Sequence, residues 1–231
     1  MYPKIKFKSD PKKDISTFFD FLKYAKYDEG RNFEWAILKH YPYFKKFNEN
    51  IDKKIVQDFV FKYYSKNQKA IEKNFIIHEN NWRKIEKDFF KLVYDLFLKM
   101  KWPKGKYIAY STMWGMYPRF LDDKTFQIPA ISRRKKAVNF FIAHEMLHFI
   151  FYEYFLNKYK KYKSHKYDFF AWHVSEIFNV IIMNRSEWQK ILKNKDDGYP
   201  EHKKIIEKLS KKERGTDELI GNIILEVNKI V

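Results

Sequence analysis

Phe140-Phe141-Ile142-Ala143-His144-Glu145-Met146-Leu147-His148-Phe149-Ile150-Phe151 is an apolar run interrupted only by two histidines and one glutamate. No glycine or proline breaks the chain from Arg133 to Asn157, so the run reads as part of one long helix with Ser132 as its cap. The basic residues Arg133 to Lys136 oppose the helix dipole at that end. Positions four apart share a helical face one turn apart, so His144 and His148 aim both imidazoles at one point. This is the HExxH pattern: two neutral nitrogen ligands for a tetrahedral zinc ion, and a carboxylate, Glu145, placed to take a proton from water. Ionisable groups in so apolar a segment are costly to bury without partners, and a metal supplies one.

A catalytic zinc takes a third protein ligand and leaves one position for water. The chain has no cysteine, which excludes disulfides, iron–sulfur clusters and thiol nucleophiles and restricts the third ligand to His, Asp or Glu. Glu176 is the leading candidate, because it is an ionisable residue in a second apolar helix, Phe169 to Met183, for which Asp168 is the expected cap. His173, Asp168, His165 and Glu153 are the alternatives, although Glu153 shares a helix with the histidine pair and converges poorly. A metzincin continuation needs Gly at 151 and His at 154, where the chain has Phe151 and Tyr154. A di-iron bundle needs a second Glu-x-x-His pair, and only Glu145 to His148 is present.

Working outward, residues 14 to 100 read as helices: Ile15 to Leu22, Ile51 to Tyr64, and a long one from about Asn81 to Met100. Lys101-Trp102-Pro103-Lys104-Gly105 ends the last of these. Tyr107 to Thr112 and Thr125 to Ile131 read as short strands, and Pro129 confines the second to a sheet edge or a strand terminus. That strand is either an ordinary core strand or an edge along which an extended peptide pairs. Beyond a turn at Asp196-Asp197-Gly198-Tyr199-Pro200, two more helices follow, Glu201 to Lys212 and Thr216 to Ile230, with Thr216 as a cap. The expected organisation is an N-terminal helical region (1–79), a core (80–192) and a C-terminal helical extension (193–231), packed as one unit.

On His144-Glu145-Met146-Leu147-His148 and the downstream Glu176, the chain resembles the gluzincins, HExxH peptidases whose third zinc ligand is a glutamate from a second helix. Within them it looks like the minigluzincins, over about residues 80–192: a backing helix, strands near Tyr107 and Phe126, the active-site helix and the glutamate helix. The resemblance implies an α+β, mainly helical, zincin-like core with a small β-sheet, and one zinc per chain on His144, His148 and Glu176. It further implies hydrolysis of a peptide or protein substrate with Glu145 as general base. Many gluzincins carry an acidic residue four after the ligand, where this chain has Val180. Asn179 and His173 are then the candidates to orient a ligating imidazole or to sit beside the attacking water, and Tyr110, His165 and His173 are the candidate donors to the oxyanion.

The 231 residues are 45% hydrophobic, enough for a real core, and 20% aromatic with 6 Gly, which favours bulky-faced helices over a turn-rich β fold. The net charge of +18 suggests nucleic acid or an anionic surface, but the lysines are scattered from end to end and not clustered. The competing reading is a non-catalytic or regulatory protein of the same fold whose basic surface binds nucleic acid or a protein partner. A third is a latent peptidase covered by its own terminal helices. The start, Met1 to Lys8, has no apolar leader core, and no run is long enough for a membrane span, so a soluble cytoplasmic protein of unspecified oligomeric state is expected.

Overall fold

A computed structural model describes residues 2–24, 33–47, 51–132, 137–212 and 214–230. The fold is α+β and mainly helical, with one small mixed sheet. The chain divides into two compact units, each discontinuous in sequence: Pro3–Asn81 with Gly105–Phe141, and Met1–Tyr2 with Trp82–Lys104 and Ile142–Val231. This division does not follow the boundaries at 79/80 and 192/193 expected from sequence. No helix among the described residues is long and apolar enough to cross a membrane.

The first unit is built on four strands, β1 (Lys6–Ser9), β2 (Ile108–Thr112), β3 (Arg119–Phe120) and β4 (Thr125–Pro129), in the order β1-β2-β4-β3. β1, β2 and β4 run parallel, and β3 pairs antiparallel with β4. The register sets Phe7 beside Ala109 and Ala109 beside Phe126, a buried row across three strands. β4 therefore lies inside the sheet and not at an edge, and all five of its residues are buried. Pro129 is its last residue, where a missing amide costs least. β1 has no counterpart in the sequence reading: four residues with one buried side chain, Phe7, give too short an alternation to stand out.

Helix α1 (Pro11–Tyr24) packs against β2, and the ring of Phe18 lies 5.2, 4.9 and 5.5 Å from those of Phe33, Phe44 and Trp114. Helix α2 (Lys53–Arg83) is continuous where two helices were expected. Residues 65–80 look polar because most of that stretch is solvent-facing, while Ile71, Asn74 and His78 keep one narrow buried stripe at helical spacing. The break falls at Lys84 and Ile85 instead, before α3 (Glu86–Leu96).

Asp14 of α1 is fully buried at the centre of this unit. Its Oδ2 accepts from the Met113 amide at 2.9 Å and lies 2.8 Å from the Tyr64 hydroxyl, and its Oδ1 accepts from Gln127 Nε2 at 3.0 Å. The Tyr64 hydroxyl also lies 3.0 Å from the Ser111 carbonyl, so its single proton faces two acceptors. A protonated Asp14 supplies the second, and burial accordingly pushes its carboxyl up to about 7 against the lowering effect of its hydrogen bonds.

The second unit is helical. Helix α4 (Val138–Lys158) contributes its residues from Ile142 onward, followed by α5 (Asp168–Met183), α6 (Ser186–Leu192), α7 (Lys203–Leu209) and α8 (Thr216–Val227). The expected start of α4 at Arg133 lies outside the described residues. α5 packs against α6, α7 and α8 and is buried from Val174 to Met183 without interruption, which is what a helix apolar on every side must do. Aromatic rings join it to α4: Phe178 lies 5.0 Å from Phe151, Phe151 stacks on Phe155 at 5.4 Å, and Phe155 stacks on Tyr162 at 5.3 Å.

Two expected caps are not caps. Asp168 is the first residue of α5, and its carboxylate meets His165 Nδ1 at 3.1 Å. Gly215 holds the cap position of α8, and the Thr216 hydroxyl donates to the Leu96 carbonyl at 2.5 Å.

Candidate metal centre

α4 and α5 each bring ionisable side chains into apolar surroundings. Nε2 of His144 and Nε2 of His148 lie 3.0 Å apart. The Glu176 carboxylate faces both, Oε2 at 3.2 Å from His144 Nε2 and Oε1 at 3.4 Å from His148 Nε2. Ligand atoms about 2.05 Å from a tetrahedral zinc stand about 3.3 Å from one another, so these separations are those of atoms sharing one centre. His148 is fully buried, and the His144 side chain keeps 14% exposure. Of the alternatives raised for the third ligand, His173, Asp168, His165 and Glu153 stand outside this group, and Glu176 alone joins the histidines among the described residues.

The electrostatics fit a cation. Burial by itself would lower the pKa of His144, but the hydrogen bond to Glu176 and the negative charges of Glu176, Glu145 and Asp196 outweigh it and lift the group to about 9. The pocket thus holds a proton where a divalent ion would sit, and a set of two imidazoles and one carboxylate with no sulfur suits zinc. Glu145, 6% exposed and next in sequence to His144, contributes its charge to the same centre.

Asn179 is a hydrogen-bonded polar group between the helices, one of its two expected roles: its Nδ2 donates to the backbone carbonyl of His144 at 3.2 Å, so it ties α5 to α4 at that peptide. On the distal side of His144, Oδ2 of Asp196 lies 3.7 Å from Nδ1. Asp196 is held from three sides. Its amide donates to Asn184 Oδ1 at 3.0 Å, its carbonyl accepts from Asn184 Nδ2 at 2.6 Å, and its Oδ1 accepts from the Gly198 amide at 2.9 Å. Gly198 has φ +68°, a conformation that favours glycine, and a Cβ there would lie 2.8 Å from Ile206 Cδ1. Sequence reasoning saw only a turn here; the accompanying signal is the glycine two residues after an aspartate.

His173 is a turn before Glu176 on α5, buried among Phe169, Trp172 and His202. Its Nδ1 lies 2.7 Å from Nε2 of His202, a residue that sequence reasoning did not single out. Nδ1 of His202 is buried and has no hydrogen-bond partner among the described residues. An unpaired lone pair costs less than an unpaired N–H, so His202 carries its proton on Nε2, donates to His173 Nδ1, and leaves His173 protonated on Nε2. Burial, and then the neighbouring imidazole, lower His173 to about 4, so the pair is neutral at ordinary pH. His165 is fully exposed and engaged by Asp168, and Tyr110 lies on β2 in the other unit with the Lys13 ammonium 5.4 Å from its ring centre.

Comparison with protein-family models, with curated proteins and with solved structures finds no match to this chain.

Proposed function

We propose that this chain is a zinc-dependent metallopeptidase, holding one zinc ion on His144, His148 and Glu176 and using Glu145 as its general base. The observation that carries the reading is the convergence of two imidazole nitrogens and one carboxylate within 3.0 to 3.4 Å in a buried site, with a second carboxylate beside them. Zinc bound there supplies a Lewis acid that polarises the scissile carbonyl and makes water acidic enough to attack at neutral pH. Glu145 accepts the proton of the attacking water and passes it to the departing amine. Asp196 sets a negative charge 3.7 Å from the far nitrogen of His144, and Asn179 holds the backbone from which that ring projects. The neutral His173, one turn before Glu176 on α5, is the candidate donor to the developing oxyanion. Peptide or protein substrates follow from this chemistry, because an amide carbonyl is the electrophile it activates.

The test is elemental analysis of the purified chain followed by cleavage of a mixed peptide library read by mass spectrometry. One zinc per chain is expected, lost in His148→Ala and Glu176→Ala. Glu145→Gln should keep the zinc and lose cleavage by about two to four orders of magnitude. A chain that cannot be loaded with zinc sinks the proposal, and zinc binding with no cleavage of any peptide reduces it to a non-catalytic metal protein.

A further inference from the structure

Aromatic rings continue from the metal centre towards the N-terminal end of α5. Phe169, Trp172, His173 and Glu176 stand at positions i, i+3, i+4 and i+7 of that helix and so share one face. Helical side chains lean towards the N-terminus, which tilts Glu176 over the turn that bears Trp172 and His173. The segment from Asp196 to His202 runs beside the same face. Asp196 Oδ2 lies 3.7 Å from His144 Nδ1, the Tyr199 ring lies 5.0 Å from that of Trp172, and His202 meets His173 at 2.7 Å. Phe169 stacks on Trp172 at 5.4 Å and stands edge-on to His173 at 4.4 Å. The two imidazoles are buried, whereas Phe169 and Tyr199 are 63% and 38% exposed. A wall of rings that begins one helical turn from a metal ligand thus opens to water at its outer end.

We propose that this wall is a specificity subsite of the peptidase and takes an aromatic side chain of the substrate within two residues of the scissile bond. The inference rests on the metallopeptidase reading and gives it a substrate preference. The distances suit it: a helical turn rises about 5.4 Å and an extended peptide advances about 3.4 Å per residue, so a neighbouring side chain reaches the rings while its carbonyl is at the metal centre.

The wall selects a ring over an ion or an aliphatic chain. From 195 to 204, Lys195, Lys203 and Lys204 balance Asp196, Asp197 and Glu201, and the imidazole pair is neutral at ordinary pH, so no net charge favours an ionic guest. A guest ring extends the stacked and edge-on pattern already present, which is worth roughly two- to twelvefold in affinity beyond the area buried. An aliphatic side chain buries area without forming such pairs.

The test remakes a peptide cut by the zinc-loaded chain with Phe, Leu or Lys at each of the two positions on either side of the cut. At one position kcat/KM for Phe is expected to exceed that for Leu by about three- to tenfold. Phe169→Ala, a substitution at an exposed ring whose fold is checked by circular dichroism, should bring that ratio to about one. Equal rates for Phe and Leu at every position, a preference for Lys, or a ratio unchanged in Phe169→Ala overturns the proposal. A second arm needs no cleavage: the indole NMR signal of Trp172, assigned from Trp172→Phe, is followed during titration with acetyl-phenylalanine methylamide and with its leucine analogue. If no peptide is cut, a saturable shift with the phenylalanine probe alone keeps the aromatic subsite while the peptidase reading falls, and no shift removes both.

Discussion

Oδ2 of Asp196 lies 3.7 Å from Nδ1 of His144, while Nε2 of the same ring faces His148 and Glu176 at 3.0 and 3.2 Å. The imidazole thus has an anion beyond hydrogen-bond distance on one side and the His148–Glu176 cluster on the other. Asp196→Ala is therefore expected to weaken zinc binding about 10- to 100-fold with all three ligands intact. Competition against a chromophoric chelator measures this. An unchanged affinity would mean that Asp196 belongs to the loop and not to the site.

The same loop offers a subtler perturbation. Gly198→Ala adds one methyl where φ is +68°, which strains the backbone that donates to Asp196, and the end of the Ile206 side chain must shift to admit it. A stability loss of about 1–3 kcal/mol is expected, together with weaker zinc binding, although residue 198 touches no ligand. Urea unfolding of the metal-free chain and chelator competition read the two effects separately.

Metal uptake should release a proton. His144 is raised to about 9 in the metal-free chain, so it is protonated at pH 7 and must deprotonate to ligate. Calorimetric titrations with zinc in two buffers of different ionisation enthalpy should show close to one proton released near pH 7. Apparent affinity should climb about tenfold per pH unit until pH approaches 9. For the metal-free chain, a raised folded-state value means that the stability contributed by this group is complete below pH 6.5 and is lost as pH rises through about 9.

Asp14 and His173 impose opposite slopes on stability in mild acid. Asp14, at about 7 when folded and 3.8 when free, makes the folded chain bind the extra proton, so its contribution falls as pH rises from about 4 to 7. His173, at about 4 when folded and 6.5 when free, makes the unfolded chain bind it, so its contribution is lost as pH falls across that interval. Asp14→Asn, which can keep its hydrogen bonds if Gln127 turns its amide, should remove a decline worth as much as roughly 4 kcal/mol across that range. Denaturation midpoints from pH 4 to 7 for wild type and variant check it; parallel curves would place Asp14 ionised throughout.

The convergence of His144, His148 and Glu176 was legible because each is an ionisable residue in an apolar helix, and helical geometry converts a spacing of four directly into a shared face. Glu176 stood out for the same reason. Asp196 and His202 were not legible, since one lies in a turn and the other at the foot of a seven-residue helix, where no periodicity carries information about what lies across from them. β1 was hidden by its shortness, and the unity of α2 by the polarity of its solvent-facing stretch, whose buried stripe is only one residue wide. Both depend on what packs against them, and that is decided by residues far away in sequence.

The interleaving of the two units has a consequence for how the protein is made. Every strand, α1 and the Asp14 network precede His144 in the chain, so the ribosome delivers one unit whole while the other is still a helical fragment. Glu176, Asp196 and His202 emerge in that order afterwards. A nascent chain stalled before Glu176 holds His144, Glu145 and His148 but not the carboxylate that converges on both imidazoles, so the cluster is completed late in synthesis, after the other unit has been delivered.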